Sequence, residues 1–121
     1  MCTQVLIITV IIFSKSYCPH SKKAKHILLE KYSIVPEPYV VELDLSPMGE
    51  QLQAFLHKTT GRRTVPNILL MGKSIGGGDE IEELDETDTL VKKVKEMGGS
   101  RVTQVDHRGA RPEVRRKRMQ A

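Results

Sequence analysis

Apolar positions in this chain fall first in one unbroken run and then in alternating helical and extended spacings. Val5 to Phe13 reads Val-Leu-Ile-Ile-Thr-Val-Ile-Ile-Phe. β-Branched residues throughout, with no polar face, predict a central strand covered on both sides, over about Leu6–Phe13. Nine residues fall short of the roughly 20 that a membrane-spanning helix needs. A secretory leader is the weaker reading, because no Lys or Arg precedes the run and no small-residue cleavage site follows it. From Pro19 to about Tyr32 the spacing turns helical. Ala24, Ile27, Leu28 and Tyr32 share one face, and Lys22, Lys23, Lys25 and Lys31 lie outside it. Proline suits a first helical position because its missing N–H is not needed there.

Pro36 and Pro38 interrupt, and Tyr39–Leu43 predicts a second strand. Ser46 is expected to cap a helix with Pro47 in its first turn. Leu52, Phe55 and Leu56 are its expected apolar stripe, ending before Gly61. A third strand is expected over Ile68–Met71, then a tight turn at Gly72-Lys73 and a return strand from Ser74-Ile75. Gly76-Gly77-Gly78 breaks that strand. A short helical turn follows over Asp79–Leu84, then a helix over Asp88–Met97 with Leu90, Val91 and Val94 inside, stopped by Gly98-Gly99. Strands joined through a helix pair parallel and the close pair around Gly72 antiparallel, so the order argues an α/β domain with a mixed sheet flanked by helices.

Charge divides the chain. Residues 100–121 carry seven Lys/Arg against two acidic groups, whereas the rest is nearly balanced. The sequence pI of about 9.2 therefore describes the tail. The body shows no basic surface that would argue for nucleic acid. One domain over 1–99 and a basic, disordered tail over 100–121 are expected. Two cysteines, Cys2 and Cys18, make no disulfide framework. The four histidines are scattered and form no zinc-like spacing.

Cys18 carries the candidate chemistry. It stands between the first strand and the first helix, in Phe13-Ser14-Lys15-Ser16-Tyr17-Cys18-Pro19-His20-Ser21. N–H groups at a helix start stabilise a thiolate, the reactive form of cysteine, and Lys15 adds a full charge nearby. Ser21 stands where a two-thiol redox motif would place its second cysteine. The thiol is therefore expected to work alone.

With Cys18-Pro19-His20-Ser21, Thr60-Gly61-Arg62-Arg63-Thr64-Val65-Pro66-Asn67 and Gly76-Gly77 in that order and separation, residues 8–98 resemble the glutaredoxins. The Cys-Pro-x-Ser form is similar to monothiol members, most of all the fungal secretory-pathway ones. The resemblance implies a thioredoxin-like fold with a four-stranded mixed sheet. It implies glutathione as cosubstrate, and Cys18 as the nucleophile that removes glutathione from mixed disulfides in oxidative-stress defence, with reducing equivalents from NADPH through glutathione reductase. Lys15, Gln53 and Arg63 match positions that hold the glycine carboxylate of glutathione; on residue type alone each also reads as a solvated surface group. Pro66 matches a cis proline facing Cys18, with Thr64 and Val65 lining the peptide backbone of the ligand. Gly77, Gly78, Asp79 and Glu80 match the segment that receives the γ-glutamyl end, and Tyr17 lies beside the nucleophile.

A second reading is a dimer in which two Cys18 thiolates and two glutathiones ligate a [2Fe–2S] cluster. A third is a weak glutathione-binding adaptor whose Arg-rich tail meets an acidic partner. The expected partners are glutathione and glutathionylated proteins, without nucleic acid or membrane, and the expected state is a monomer unless a cluster bridges two chains. The expected compartment is the cytoplasm, or the ER/Golgi lumen if an N-terminal anchor is missing from this sequence.

Overall fold

The computed structural model describes residues 9–107, the side chain of His107 excepted. Cys2, the start of the expected first strand and most of the basic tail lie outside the described residues. Strand β1 (Val10–Ser14) sits inside a four-stranded sheet of order β3-β1-β4-β5. It pairs parallel with β3 (Tyr39–Glu42) and antiparallel with β4 (Asn67–Leu70). β4 in turn pairs antiparallel with β5 (Lys73–Gly76). Met71 and Gly72 both take positive φ at the hairpin tip. That is the backbone of a type I′ turn, whose twist matches that of its strands. The central position of β1 explains its apolar character: Val10 and Ile12 are fully buried, and Ile11 and Phe13 are half covered on the other face.

The first helix, α1 (Pro19–Lys25), runs on into a π-helical stretch, His26–Lys31. Its inward face is the expected one, with Ala24, Ile27 and Leu28 buried. Three of its lysines are tied down. Lys25 pairs with Glu42 of β3 at 2.6 Å, and Lys23 pairs with Glu82 at 2.9 Å. Lys31 and the Tyr32 hydroxyl both reach Asp85, at 2.5 and 2.8 Å. Glu82 and Asp85 belong to α3 (Gly78–Glu86), so these bonds fix α3 against α1. Burial and the neighbouring Asp85 push the Tyr32 phenol up. Helix α2 is Gly49–Thr60 and α4 is Leu90–Gly98, the latter burying Leu90 and Val94.

Four expectations need correction. Tyr32 does not end the helix but opens β2 (Tyr32–Val35), which pairs antiparallel with β6 (Gln104–His107). The expected boundary at residue 99 therefore falls too early. Only a 3-10 turn, Gly99–Arg101, separates α4 from the chain leading into β6. Polar Gln104 and Asp106 hid the strand; among its described side chains Val105 is the buried one. Helix α2 starts at Gly49 because Ser46 makes a turn first: its hydroxyl accepts the Met48 N–H and its carbonyl the Gly49 N–H. Of the expected stripe Leu56 is buried, whereas Phe55 is 61% exposed.

Truncation after Arg101 should therefore lower thermal stability. It removes β6 and the burial of Val105, worth about 1.5–3 kcal/mol. Thermal denaturation of both chains measures it, with a lower midpoint expected for the shorter one.

Candidate functional site

Cys18 is the N-cap of α1, with an extended backbone (φ −83°, ψ 125°). Its N–H donates to the Lys15 carbonyl at 3.0 Å, and its own carbonyl accepts the Lys22 N–H at 2.9 Å. The residue thus terminates a tight turn and begins the helix at once, because Pro19 needs no partner for a missing N–H. Burial pushes the thiol up, but four groups outweigh it: the Ser21 N–H, the Ser21 hydroxyl, the His20 N–H and the Lys15 charge. The balance leaves the Cys18 pKa below the ordinary cysteine value. Ser21 is completely buried, and its Oγ also accepts the Lys15 N–H at 3.2 Å. The hydroxyl at the fourth motif position therefore serves the thiolate and pins the preceding loop. Asp44, which the sequence did not single out, pins the same loop by accepting from the Ser16 N–H at 2.9 Å and the Ser16 hydroxyl at 2.5 Å.

The thiolate fraction should persist below the ordinary cysteine range, and alkylation by iodoacetamide should fall as pH drops through the depressed value. Ser21→Ala removes one donor to the charged form. A hydrogen bond of about 0.5–1.5 kcal/mol corresponds to a rise of roughly half to one unit in the alkylation midpoint. An unchanged midpoint would remove Ser21 from the thiol's surroundings.

A cleft of about 250 Å³ opens beside the start of α1, lined by His20, Arg62, Thr64, Val65, Pro66, Gly77, Gly78, Asp79 and Glu80. The Val65–Pro66 peptide is cis. Gly77 and Gly78 allow the walls to close in. A Cβ on Gly77 would lie 2.8 Å from the Pro66 carbonyl, and one on Gly78 would lie 2.9 Å from the His20 carbonyl. Seven of the expected site residues, Thr64, Val65, Pro66, Gly77, Gly78, Asp79 and Glu80, thus meet in one cleft next to the nucleophile's helix. Lys15, Tyr17, Gln53 and Arg63 do not line it. Lys15 acts on Cys18 through its charge, and Tyr17 is 66% exposed beside it. The Gln53 carboxamide donates to the Arg63 carbonyl at 2.9 Å. The Arg63 side chain borders a larger open groove of about 700 Å³, shared with Arg62, Thr64, Glu80 and Lys93.

Glu80 is engaged within its own helix turn. Oε1 accepts the Gly77 N–H at 2.8 Å, and Oε2 meets Arg62 Nη2 at 3.1 Å. The Gly77 N–H, its own N–H and the Arg62 guanidinium hold the Glu80 carboxyl below the usual carboxylate range. Arg62 was not among the expected residues. Two adjacent arginines share one loop, and the sequence does not say which of them faces the cleft. Among the described residues no group of three or more His, Cys, Asp and Glu could hold a metal ion, and no helix is long and apolar enough to cross a membrane.

A parallel–antiparallel four-stranded sheet with one activated thiol at a helix N-cap and a cis proline lining the cleft at that helix's first turn defines a thioredoxin-like fold. Residues 10–75 match the family model described as Glutaredoxin, and the chain belongs to that family. It is 45% identical over 93 residues to Monothiol glutaredoxin-7 of Saccharomyces cerevisiae, covering 77% of this chain and 46% of that protein. It is 46% identical over 83 residues to Glutaredoxin-C8 of Oryza sativa subsp. japonica, covering 69% and 60%. The chain thus spans about half to three fifths of the length of these curated relatives. The holo form of glutaredoxin C1 from Populus tremula x tremuloides superposes with a TM-score of 0.64 at 38% identity, covering 74% of this chain and 85% of that one. A buckwheat glutaredoxin–glutathione complex does so with a TM-score of 0.64 at 34% identity, covering 80% and 87%.

Proposed function

We propose that this chain is a glutathione-dependent thiol–disulfide oxidoreductase that reduces glutathione mixed disulfides through Cys18 alone. The observation that carries the reading is the N-cap thiol, its charge stabilised by Ser21, His20 and Lys15, beside the cleft lined by Pro66 and Gly77. The buckwheat relative solved with glutathione supports the ligand class. The Cys18 thiolate attacks the glutathionyl sulfur. A bond forms between the two sulfurs, the original S–S bond breaks, and the other thiol leaves as a thiolate that takes a proton from water. A second glutathione thiolate then attacks the glutathionyl sulfur on Cys18, giving glutathione disulfide and the free Cys18 thiolate. No second protein thiol is used: Cys18 is the one free cysteine among the described residues, and the fourth motif position is the buried Ser21 hydroxyl.

In a cluster-bridged dimer each chain would offer Cys18, the one free cysteine among the described residues, and the remaining ligands would come from two glutathione molecules.

The test is a glutathione-dependent assay on a small mixed disulfide, such as glutathionylated 2-mercaptoethanol, coupled to glutathione reductase with NADPH consumption recorded. Turnover dependent on glutathione is expected. A chain that binds glutathione without turnover would replace the enzyme reading by that of a binding adaptor.

A further inference from the structure

We infer that the sheet face turned away from α1 is an interface between two copies of this chain, with α2 of each copy seated on the uncovered strands of the other.

The strand register sorts side chains onto two faces. On one, Val10, Ile12, Ile68 and Leu70 join the main core with Ala24 of α1 and Ile81 of α3. Alternate residues belong to the other face. There Ile11 stands opposite Tyr39 and Leu69, and Phe13 stands opposite Val41 and Asn67. None of these apolar side chains is fully buried. Ile11, Phe13, Val41 and Leu69 are half-buried, and Tyr39 is 56% exposed.

Helix α2 covers this second face incompletely. Its last residue is anchored there, because Asn67 Nδ2 donates to Thr60 Oγ1 at 3.2 Å. Its buried Leu56 lies outside the main core. Met48, the N-cap, then Leu52 and Phe55 recur at i, i+4 and i+7, the spacing of one helix face. Met48 and Phe55 are exposed and Leu52 is half-buried, so this apolar stripe has no element opposite it.

Three observations favour a second copy as the occupant. Neither the stripe nor the strand residues include a charged side chain, so two identical surfaces meet without like-charge repulsion. The face also carries both halves of one contact, an apolar helix stripe and an apolar patch of sheet. A two-fold axis sets the stripe of each copy on the sheet of the other, and such a contact closes on itself. Finally, the stretches outside the described residues supply no apolar cover. Residues 6–8 are expected to continue β1, and residues 108–121 carry Arg or Lys at six positions, which are costly to bury unpaired. Tyr, Phe and Met are also the residue types enriched at protein interfaces. No residue of this face lines the cleft beside Cys18, so the pairing is separate from the catalytic site and needs no cluster.

Sedimentation equilibrium of the full chain tests the inference, whatever the outcome of the oxidoreductase assay. The 13.6 kDa chain should pass from monomer to dimer between about 1 and 100 µM, the weak end of the range that standard-size interfaces span. Phe55→Glu on the helix side and Tyr39→Lys on the sheet side should each stay monomeric over that range, because a pair would bury unpaired charges. Both side chains are exposed, so each variant should keep its melting temperature and its turnover within about 2-fold of wild type. An equimolar mixture of the two variants should associate again. In it one contact sets the introduced carboxylate against the introduced ammonium, and the other contact is native. A wild-type chain that stays monomeric overturns the inference and leaves the face to a different protein. A dimer that persists in either variant places the interface elsewhere. Species larger than the dimer overturn the two-fold arrangement, since a contact that does not close builds open chains. A mixture that stays monomeric overturns the seating of α2 on the sheet.

Discussion

Cys18→Ser is expected to reduce glutathione-dependent turnover of mixed disulfides to the uncatalysed background. The hydroxyl of serine has no accessible anion at neutral pH, whereas the Cys18 thiolate is held by the Ser21 and His20 N–H groups, the Ser21 hydroxyl and the Lys15 charge. Nucleophilic attack needs the anion, so the substitution removes the reacting group itself. The fold should be unaffected. Serine is a preferred N-cap residue, and Cys18 makes no side-chain cap bond that would be lost. An unchanged melting temperature with lost turnover is therefore the expected pair of results. The companion variant Cys2→Ser should keep most activity. Retained turnover in Cys18→Ser, or equal loss in Cys2→Ser, would defeat the one-thiol mechanism.

Gly77→Ala should be nearly as damaging to turnover, for a steric reason. Gly77 has an extended backbone (φ −114°, ψ −153°) that any residue can adopt, so conformational freedom is not the issue. The added Cβ would stand 2.8 Å from the Pro66 carbonyl and 3.1 Å from Arg62 Nη1. Those atoms belong to the opposite wall of the cleft, and one of them is backbone that cannot swing aside. The walls must part by several tenths of an ångström where the ligand backbone is expected to lie. Misplacement on the ångström scale costs on the order of 10²-fold in rate. Most of the loss should appear in kcat/KM for glutathione substrates. Direct alkylation of Cys18, which needs no ligand cleft, should be little changed. Equal loss of alkylation would mean that the substitution disturbs α1 rather than the cleft.

Several features are legible in the amino-acid order because they rest on local rules. The β-branched run predicts a strand covered on both faces, and β1 lies between β3 and β4. Ala24, Ile27 and Leu28 share the buried face that their spacing demands. Pro19 and the position of Cys18 mark the helix start, so the activated thiol follows from the sequence together with the known behaviour of helix termini. The hairpin around Gly72 and the glutaredoxin motifs belong to the same category, and the resemblance the motifs carry brings seven of the cleft residues with it.

Other features depend on partners distant in the chain. Nothing local marks Tyr32–Val35 or Gln104–His107 as strands; each exists because the other supplies its ladder of hydrogen bonds, across some seventy residues. The expected end of the domain falls too early for that reason. Phe55 has the right spacing to be buried and is not, since burial requires an element opposite it. The choice between Arg62 and Arg63 is of the same kind. Both stand in one loop with the same charge, and only the position of Glu80, brought back by α3, draws Arg62 into the cleft. The sequence by itself determined the chemistry at Cys18, the strand and helix around it and the family. The tertiary structure decided which charged groups share the cleft, because an ion pair between residues 62 and 80 depends on how α3 is packed against α1.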